Sequence, residues 1–521
     1  MVELLTDQLR HMAGEFPTQT AYVNTATDTS ITFEHWNARS NRIARGLAKV
    51  GIDKGDRIAI YVTADHVLDW IVYYAALHKL AAVAVPLNTR LSDHELRAIH
   101  QHAEPAATIV STDLLTSDRP IDRAFPAPHP LIMDSDGHDL PAGTVRLGDI
   151  LADDASDTQA PVAADDLADI MYTSGTTGRP KGVAVTYETL AVSPNSTPEW
   201  TGDAWLTAAP LFTFAGLGFV YSPMKMGMTA LYLPRFTVDA WFDNVEARHP
   251  TAVFVVPALA ELIVAHPRFA AADLTSLRIC TLGSAPLAPA TLRALQDRLP
   301  DAVVLNSYGM TEGGPSVFSM DPEGQRKYPD AVGRPMPPTE VRIVDEAGEP
   351  RPVGAVGEVV TRNFRGRRRY YNDPEATADT WRDGWLHSGD LGFLNDDGYL
   401  HIVGRAKDMI IRGGHNVYAA EVEAALYEDD RIKEAAVVGI PHDVLGEDLL
   451  AYVVLNEGHD GFDAAGVAAH CAGRLADYKV PRTVRTLAAL PRNATGKVLK
   501  RELVALWEAD DHDDHDRGRK D

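Results

Sequence analysis

The sequence predicts an α/β protein. A large N-terminal domain of parallel-type sheets flanked by helices carries a small β-rich subdomain, and a small α+β domain follows. Three observations lead there. The 521 residues exceed what one ordinary core accommodates. From about residue 30 to 270, short apolar or β-branched runs alternate with helical patterns, as in sheets covered by helices. After about 335 the texture changes to glycine-turned alternation, and after about 407 it becomes mixed.

The N-terminal MVELLTDQLRHMAGEF reads as an amphipathic helix, without the basic and apolar regions of a signal segment. Runs at 57–62, 82–86, 108–111 and 252–256 read as strands. The polar, proline-containing stretch 153–166 reads as a subdomain joint. VRIVDEAGEP, GEVVTR and LGFLNDDGYLHIVG read as hairpins of the β-rich subdomain, about 335–406. They close an N-terminal domain spanning 1–406. In the C-terminal domain, 407–510, a helix is expected at 419–427, strands at 434–439 and 449–455, and a helix at 464–476. Residues 511–521 are a charge run without apolar anchors, expected to form a disordered acidic tail. The most apolar windows are interrupted by His78 and Lys79, and by Pro257 and Glu261, short of the ~20 clean residues of a spanning helix.

Composition narrows the function classes. Hydrophobic content of 45% and charged content of 23% exclude collagen, coiled coil and wholesale disorder. The net charge of −24 argues against nucleic acid as a partner, so an anionic ligand has to be met locally. Cys280 and Cys471 form neither a disulfide framework nor a zinc motif, and a reducing cytoplasm is the simplest location. The oligomeric state stays open, a homodimer included.

Four stretches carry chemistry. A strand-like run, 168–172, enters TSGTTGRPKG, residues 173–182. Its glycines let backbone N–H groups face an anion, its hydroxyls donate, and Arg179 and Lys181 add charge. Arg-Pro-Lys after Gly178 excludes a Walker A loop. A plain linker is the weaker reading, because linkers rarely follow a buried strand. In NSYGMTE, 306–312, Tyr308 offers a ring to a base, Thr311 a donor to phosphate and Glu312 an oxygen to a hard cation such as Mg²⁺. Alone, an ordinary strand and capped turn explains it as well. In DGWLHSGDLGFLNDDGYLHIVGRAKD, a two-residue turn at Asp397-Gly398 sets Asp396 opposite Tyr399 and, carried outward, Asp390 opposite Arg405. A sugar diol held by the carboxylate and a simple cross-strand ion pair are both compatible with that register. In PRNATGKVLKREL, Lys497 follows a Thr-Gly turn at a helix edge, by itself an ordinary surface position.

Taken together, these stretches resemble the adenylate-forming superfamily of acyl- and aryl-CoA synthetases, peptide-synthetase adenylation domains and beetle luciferases. The resemblance runs in order from Thr32-Phe33-Glu34 and Gly55-Asp56-Arg57 through Pro86-Leu87-Asn88 to Gly496-Lys497. It implies that Thr173, Ser174, Gly175, Thr176, Thr177, Gly178 and Lys181 hold the β- and γ-phosphates of ATP. It implies that Tyr308, next to Gly309, stacks on adenine, that Thr311 binds the α-phosphate and that Glu312 holds Mg²⁺. Asp390 and Arg405 correspond to the ribose-binding pair, and Lys497 to the lysine bridging substrate carboxylate and α-phosphate. Catalysis is expected from Lys497, Thr173 and Glu312. The implied reaction forms acyl-adenylate and pyrophosphate, then passes the acyl group to coenzyme A with release of AMP. The resemblance also implies a mobile C-terminal domain, hinged at Lys407, that brings Gly413 and Gly414 toward a pantetheine tunnel.

The acyl pocket is expected from Phe212, Thr213, Phe214, Gly216, Gly283, Ser284, Ala285 and Gly313. Stretch 210–216 holds no acid, which disfavours an α-amino acid, and Thr213 and Tyr187 stand where relatives customarily carry His. An apolar pocket free of charged anchors suits a small-molecule hydrophobic carboxylic acid of fatty, aryl or sterol/bile type. Lys225 reads as a surface or snorkelling charge, or as an entrance residue. A stand-alone adenylation enzyme loading a carrier protein and a luciferase-like oxygenase are the alternatives.

Overall fold

The computed structural model describes residues 4–114, 125, 130–134, 144–173, 181–190, 197–283, 289–314, 316, 318–363, 367–456, 458–459, 463–492 and 497–517. Two large sheets form the N-terminal part. One runs in the order Arg369–Tyr370, Lys181–Thr186, Leu167–Thr173, Val83–Pro86, Arg57–Tyr61, Ala107–Ser111, Leu131–Asp134 and Thr144–Arg146. Its pairings are parallel except at Lys181–Thr186, which is antiparallel to both of its neighbours. The other runs Val303–Ser307, Ile279–Gly283, Ala252–Val255, Ala204–Thr207, Thr229–Tyr232, Thr20–Asn24 and Thr29–Thr32, parallel except at its last pair. Short runs such as RIAIY and AVFV are buried on both faces, which is why they lack a strand's usual alternation.

Helix Val67–Leu80 is apolar around its whole circumference, a pattern that demands burial on every side. Its residues share one core with Ile58 and Ile60 of the first sheet and Ala230 and Tyr232 of the second. The two polar residues that interrupt it are enclosed, His78 and Lys79 both at 1% exposure. Each is satisfied locally. His78 Nε2 lies 3.1 Å from Asp169 Oδ1, and the Tyr74 hydroxyl donates to Asp169 Oδ2 at 2.9 Å. Lys79 Nζ donates to Asn37 Oδ1 at 2.7 Å and Asn41 Oδ1 at 2.6 Å. Without such partners the burial would cost several kcal/mol.

The stretch 153–166 does not separate two sheets, because Thr144–Arg146 before it and Leu167–Thr173 after it belong to the same one. It is a fastened strap along helix Phe33–Lys49. Arg45 donates to the carbonyls of Ser156 at 2.6 Å and Asp157 at 3.2 Å, Asn37 donates to Asp157 Oδ1 at 2.9 Å, and the Ala160 N–H reaches Lys79 O at 2.7 Å.

An antiparallel sheet follows, with strands Thr339–Val344, Gly357–Asn363, Trp385–Leu394 and Trp381–Arg382, and Leu400–Arg405 paired to Trp385–Leu394. The short turn Ala406–Asp408 leads into a last sheet of His415–Tyr418, Met409–Arg412, Gly446–Leu455 and Ile432–His442, with Thr483–Thr486 parallel to Gly446–Leu455. Helices Ala419–Leu426 and Ala464–Ala472 cover one face, where Val422, Leu426 and Val467 pack on Val437 and Leu449. Helix Lys500–Arg517 adds Leu503 to a cluster with Val438 and Leu450, and its backbone stays helical well into the stretch expected to be a disordered tail. Among the described residues, no helix is long and apolar enough to cross a membrane.

Burial pulls the Lys79 ammonium down to about 8, with Asp157 acting in the opposite direction. The unfolded chain keeps this proton up to the ordinary lysine range and the folded chain does not, so stability rises with pH above about 8. Lys79→Met is expected to remove this rise. Urea unfolding of both proteins at about pH 7.5 and about pH 9.5 checks it, the wild type gaining about 1–2 kcal/mol more than the variant.

Candidate functional site

Among the described residues, Tyr308 and Arg405 both contact Asp390, and Lys497 of the C-terminal unit lies within electrostatic reach of Glu312, Asp390 and Arg405. Strand Val303–Ser307 leads directly into Tyr308 and the turn at Thr311–Gly314. Strand Leu167–Thr173 leads into the glycine-rich stretch, and pairing sets Thr173 opposite Lys181. Ser174, Gly175, Thr176, Thr177 and Gly178, between those two partners, lie outside the described residues, as do Ser284 and Ala285.

Asp390 does stand opposite Arg405, but by a different route from the one expected. The hairpin is not closed by a two-residue turn. Its innermost pair is Leu394 with Leu400, and the Gly398 N–H bonds Asn395 O at 2.9 Å with Gly398 at φ +80°. Asn395 Oδ1 braces this turn by accepting from the N–H groups of Asp397 at 3.1 Å and Tyr399 at 3.0 Å. A bulge between Leu391 and Gly392 then restores the offset. Two one-residue irregularities cancel.

The Asp390 carboxylate is 5% exposed and accepts on both oxygens. Arg405 Nε lies 2.9 Å from Oδ1, and the Tyr308 hydroxyl donates to Oδ2 at 2.7 Å. Burial and then the Asp390 charge push the Tyr308 phenol well above its ordinary value, so it stays a donor. The Asp390 N–H is held by Ser388 Oγ at 3.0 Å. The Tyr308 ring meets Phe318 edge-on at 6.2 Å.

Glu312 accepts from the Tyr370 hydroxyl on Oε1 at 2.9 Å, and Lys181 Nζ sits 5.0 Å from the centre of that tyrosine ring. Arg368, 3% exposed, donates to Thr311 O at 2.9 Å and Thr189 O at 3.0 Å. Neither Arg368 nor Tyr370 was singled out by sequence reasoning. The available signal was the run RGRRRYY, concentrated basic charge in an acidic chain, at the edge strand that reaches the glycine-rich loop's exit strand.

Lys497 keeps a side open to solvent, yet crowding around its ammonium lowers its pKa from the ordinary lysine value. Arg405 lowers it next and Lys407 adds a smaller push, while Glu312 and Asp390 act the other way. A C-terminal lysine is thus within electrostatic reach of both halves of the site. Lys407 lies in the turn Ala406–Asp408. Gly413 and Gly414, at φ +57° and +81°, form the turn between Met409–Arg412 and His415–Tyr418, with the Gly413 N–H on Leu445 O at 2.8 Å.

Of the expected pocket residues, Phe212, Thr213 and Phe214 are half-buried at the start of helix Phe214–Lys225. The Thr213 hydroxyl is spent within the chain, donating to Pro210 O at 2.7 Å and accepting from the Gly216 N–H at 3.0 Å as the helix cap. A Cβ on Gly216 would fall 1.9 Å from Pro210 O, so this turn admits only glycine. Gly283 packs against Ser307 and Gly313 against Leu386, while the nearest atom facing Gly309 is Phe214 Cε1 at 4.0 Å. Tyr187 is a core residue whose hydroxyl donates to His78 O at 3.3 Å. Lys225 is buried, not a surface charge, because the face of its helix that carries Tyr221 and Met224 packs inward. Nor is the region free of charge, since the Arg368 guanidinium lies 5.0 Å from the centre of the Phe214 ring.

Residues 9–371 match the family described as AMP-binding enzyme, and 421–497 match the AMP-binding enzyme C-terminal domain. A feruloyl-CoA synthase from Amycolatopsis is 37% identical over 91% of this chain and 94% of its own length. The 3-[(3aS,4S,7aS)-7a-methyl-1,5-dioxo-octahydro-1H-inden-4-yl]propanoyl:CoA ligase of Rhodococcus jostii is 34% identical over 95% and 97%. The crystal structure of ATP-bound MatB from Rhodopseudomonas palustris superposes with a TM-score of 0.84 at 30% identity, covering 97% of this chain and 99% of that one. The chain therefore belongs to the AMP-binding enzyme family, in its adenylate-forming, acyl-CoA synthetase type.

Proposed function

We propose that this protein is an ATP-dependent ligase that converts a bulky hydrophobic carboxylic acid, aromatic or fused-ring in preference to a plain chain, first to acyl-adenylate and then to acyl-CoA. The observation that carries the reading is the buried Asp390 carboxylate held by Arg405 and Tyr308, with Lys497 of the C-terminal unit within electrostatic reach of it and of Glu312. The acid class rests on the aromatic cluster that Phe219 of helix Phe214–Lys225 forms with Trp205 at 5.1 Å and Phe254 at 4.6 Å, on the helix that begins with the expected pocket residue Phe214. The two named relatives act on a phenylpropenoid and a fused-ring acid.

A carboxylate attacking the α-phosphorus of ATP meets like charge, so alignment and charge offset are the two things a protein has to supply. Tyr308 stacks on adenine, and Asp390 binds the ribose diol with lone pairs left over from Arg405 and Tyr308. Thr311 and Lys497 flank the α-phosphate, Lys497 also orienting the acid, while Thr173 and Lys181 border the loop that takes the outer phosphates. Glu312 fits Mg²⁺, with hard oxygen and an Oε2 that has no hydrogen-bond partner among the described residues. Those residues form no three-ligand cluster, as suits an ion held by one carboxylate and by phosphate oxygens. When bound, Mg²⁺ supplies further charge offset. The coenzyme A thiol then attacks the mixed anhydride and AMP leaves. We place the hinge for that step at Lys407, and the approach of the pantetheine arm at Gly413 and Gly414.

ATP-dependent AMP release, with and without coenzyme A, across aliphatic, aryl and fused-ring acids is expected to show coenzyme A-dependent turnover on the cyclic acids. Release indifferent to coenzyme A would send the acyl group to another acceptor. Lys497→Ala is expected to abolish acyl-adenylate formation and spare thioester formation from supplied acyl-adenylate; equal loss in both would refute its role. Lys407→Pro, which fixes φ, is expected to impair chiefly the thioester step, as single-turnover measurement of each half-reaction would reveal.

A further inference from the structure

The Arg368 guanidinium has an unusual set of surroundings. It is nearly sealed from solvent, yet no carboxylate among the described residues lies within ion-pair distance of it. Burial pulls it down to about 10, and the more distant charges of Asp169, Tyr74 and Glu312 push it back, so it stays a cation at neutral pH. Its two terminal nitrogens are spent on backbone carbonyls of separate segments: Thr311, next to Glu312, and Thr189, in helix Tyr187–Leu190 just after the glycine-rich loop's exit strand. Its Nε is buried without a hydrogen-bond partner among the described residues. A Cβ on Gly314, at φ +68°, would approach the guanidinium carbon to 3.3 Å, so the turn has closed directly onto this side chain. Two residues on, Tyr370 holds the Glu312 carboxylate from the other side while its ring lies under Lys181.

Leaving a buried N–H unpaired is costly, and burying a cation without a counter-charge costs more. A side chain needed only for packing would avoid both. We propose that Arg368 and Tyr370 act together as the positioning element of the adenylating centre, fixing the Thr311–Glu312 turn against the exit strand of the phosphate loop. The inference rests on the ligase reading above and extends it to residues that touch no substrate. The planar fork is essential to it, because its two terminal nitrogens are fixed relative to each other, whereas an ammonium's donors rotate on a flexible stem and would hold the two segments less rigidly. Tyr370 supplies the second constraint, holding Glu312 by Oε1 and leaving Oε2 without a hydrogen-bond partner among the described residues.

The experiment compares Arg368→Met, Arg368→Lys and Tyr370→Phe with the wild type. Adenylation is read by pyrophosphate exchange at a series of Mg²⁺ concentrations, thioester formation from supplied acyl-adenylate, binding of ATP with and without Mg²⁺ by calorimetry, and folding by thermal melting. Arg368→Met is expected to lose about 100-fold in adenylation kcat, the scale of an ångström-sized misplacement, with the KM for the acid within about 3-fold and the thioester step retained. Arg368→Lys is expected to rescue less than about a tenth of that loss. Tyr370→Phe, which keeps the ring, is expected to raise the Mg²⁺ requirement about 10-fold and weaken ATP binding only when Mg²⁺ is present. Should Arg368→Met fail to fold, Tyr370→Phe decides the matter alone. Equal losses in both half-reactions, full rescue by lysine, or an unchanged Mg²⁺ dependence in Tyr370→Phe would overturn the proposal. A wild type inactive on every acid would instead refute the ligase reading.

Discussion

Two sheets share one helix, and the site depends on how that helix is held. Val67–Leu80 must satisfy apolar neighbours on all sides while carrying an imidazole and an ammonium near its end. Asp169 answers the imidazole, and it sits on the strand that ends at Thr173. The same carboxylate that bonds the buried imidazole and the Tyr74 hydroxyl therefore fixes the strand delivering the glycine-rich stretch. Asn37 and Asn41 answer the ammonium, and through Asp157 they also pin the strap that joins one part of the sheet to the next. Core satisfaction and site placement are one problem here, solved by the same side chains.

The small antiparallel sheet does different work. Its hairpin brings Asp390 and Arg405 together across the sheet and hands the chain to the C-terminal unit immediately afterwards. Tyr308 links that hairpin to the end of a strand in a large sheet, so one phenolic hydrogen bond joins two separately built layers. Arg368 and Tyr370 belong to the connection between hairpins, yet they reach back to the Thr311–Glu312 turn and to the edge of the other large sheet. The candidate site is a junction of four chain segments, each held by at least one side chain from another.

Much of this was legible in the sequence. Parallel strands showed as short apolar runs, and the hairpin spacing placed Asp390 opposite Arg405. That pairing survived a wrong turn type because the loop braced by Asn395 and the later bulge displace the register in opposite directions, a cancellation that spacing cannot reveal. Lys79 and Lys225 looked like interruptions or surface charges because a single sequence does not show which amides lie within reach of a buried ammonium. Arg368 was missed for a related reason: its acceptors are backbone carbonyls, and every residue carries one. The helix through Arg517 continues past the last apolar anchor, where a charge run argued for a tail.

The connection at Ala406–Asp408 is only three residues long. The C-terminal unit has its own core and meets the other part through contacts as light as Arg293 with Glu428 at 3.9 Å. Losing those contacts leaves the unit confined to a small volume around the turn, at an effective concentration on the order of millimolar or above. Redocking is then a first-order event whose rate does not depend on protein concentration. For the swing proposed at Lys407, weak contacts between the two units would therefore suffice, because the energetic difference between two docked arrangements would then be small enough for bound ligands to reverse.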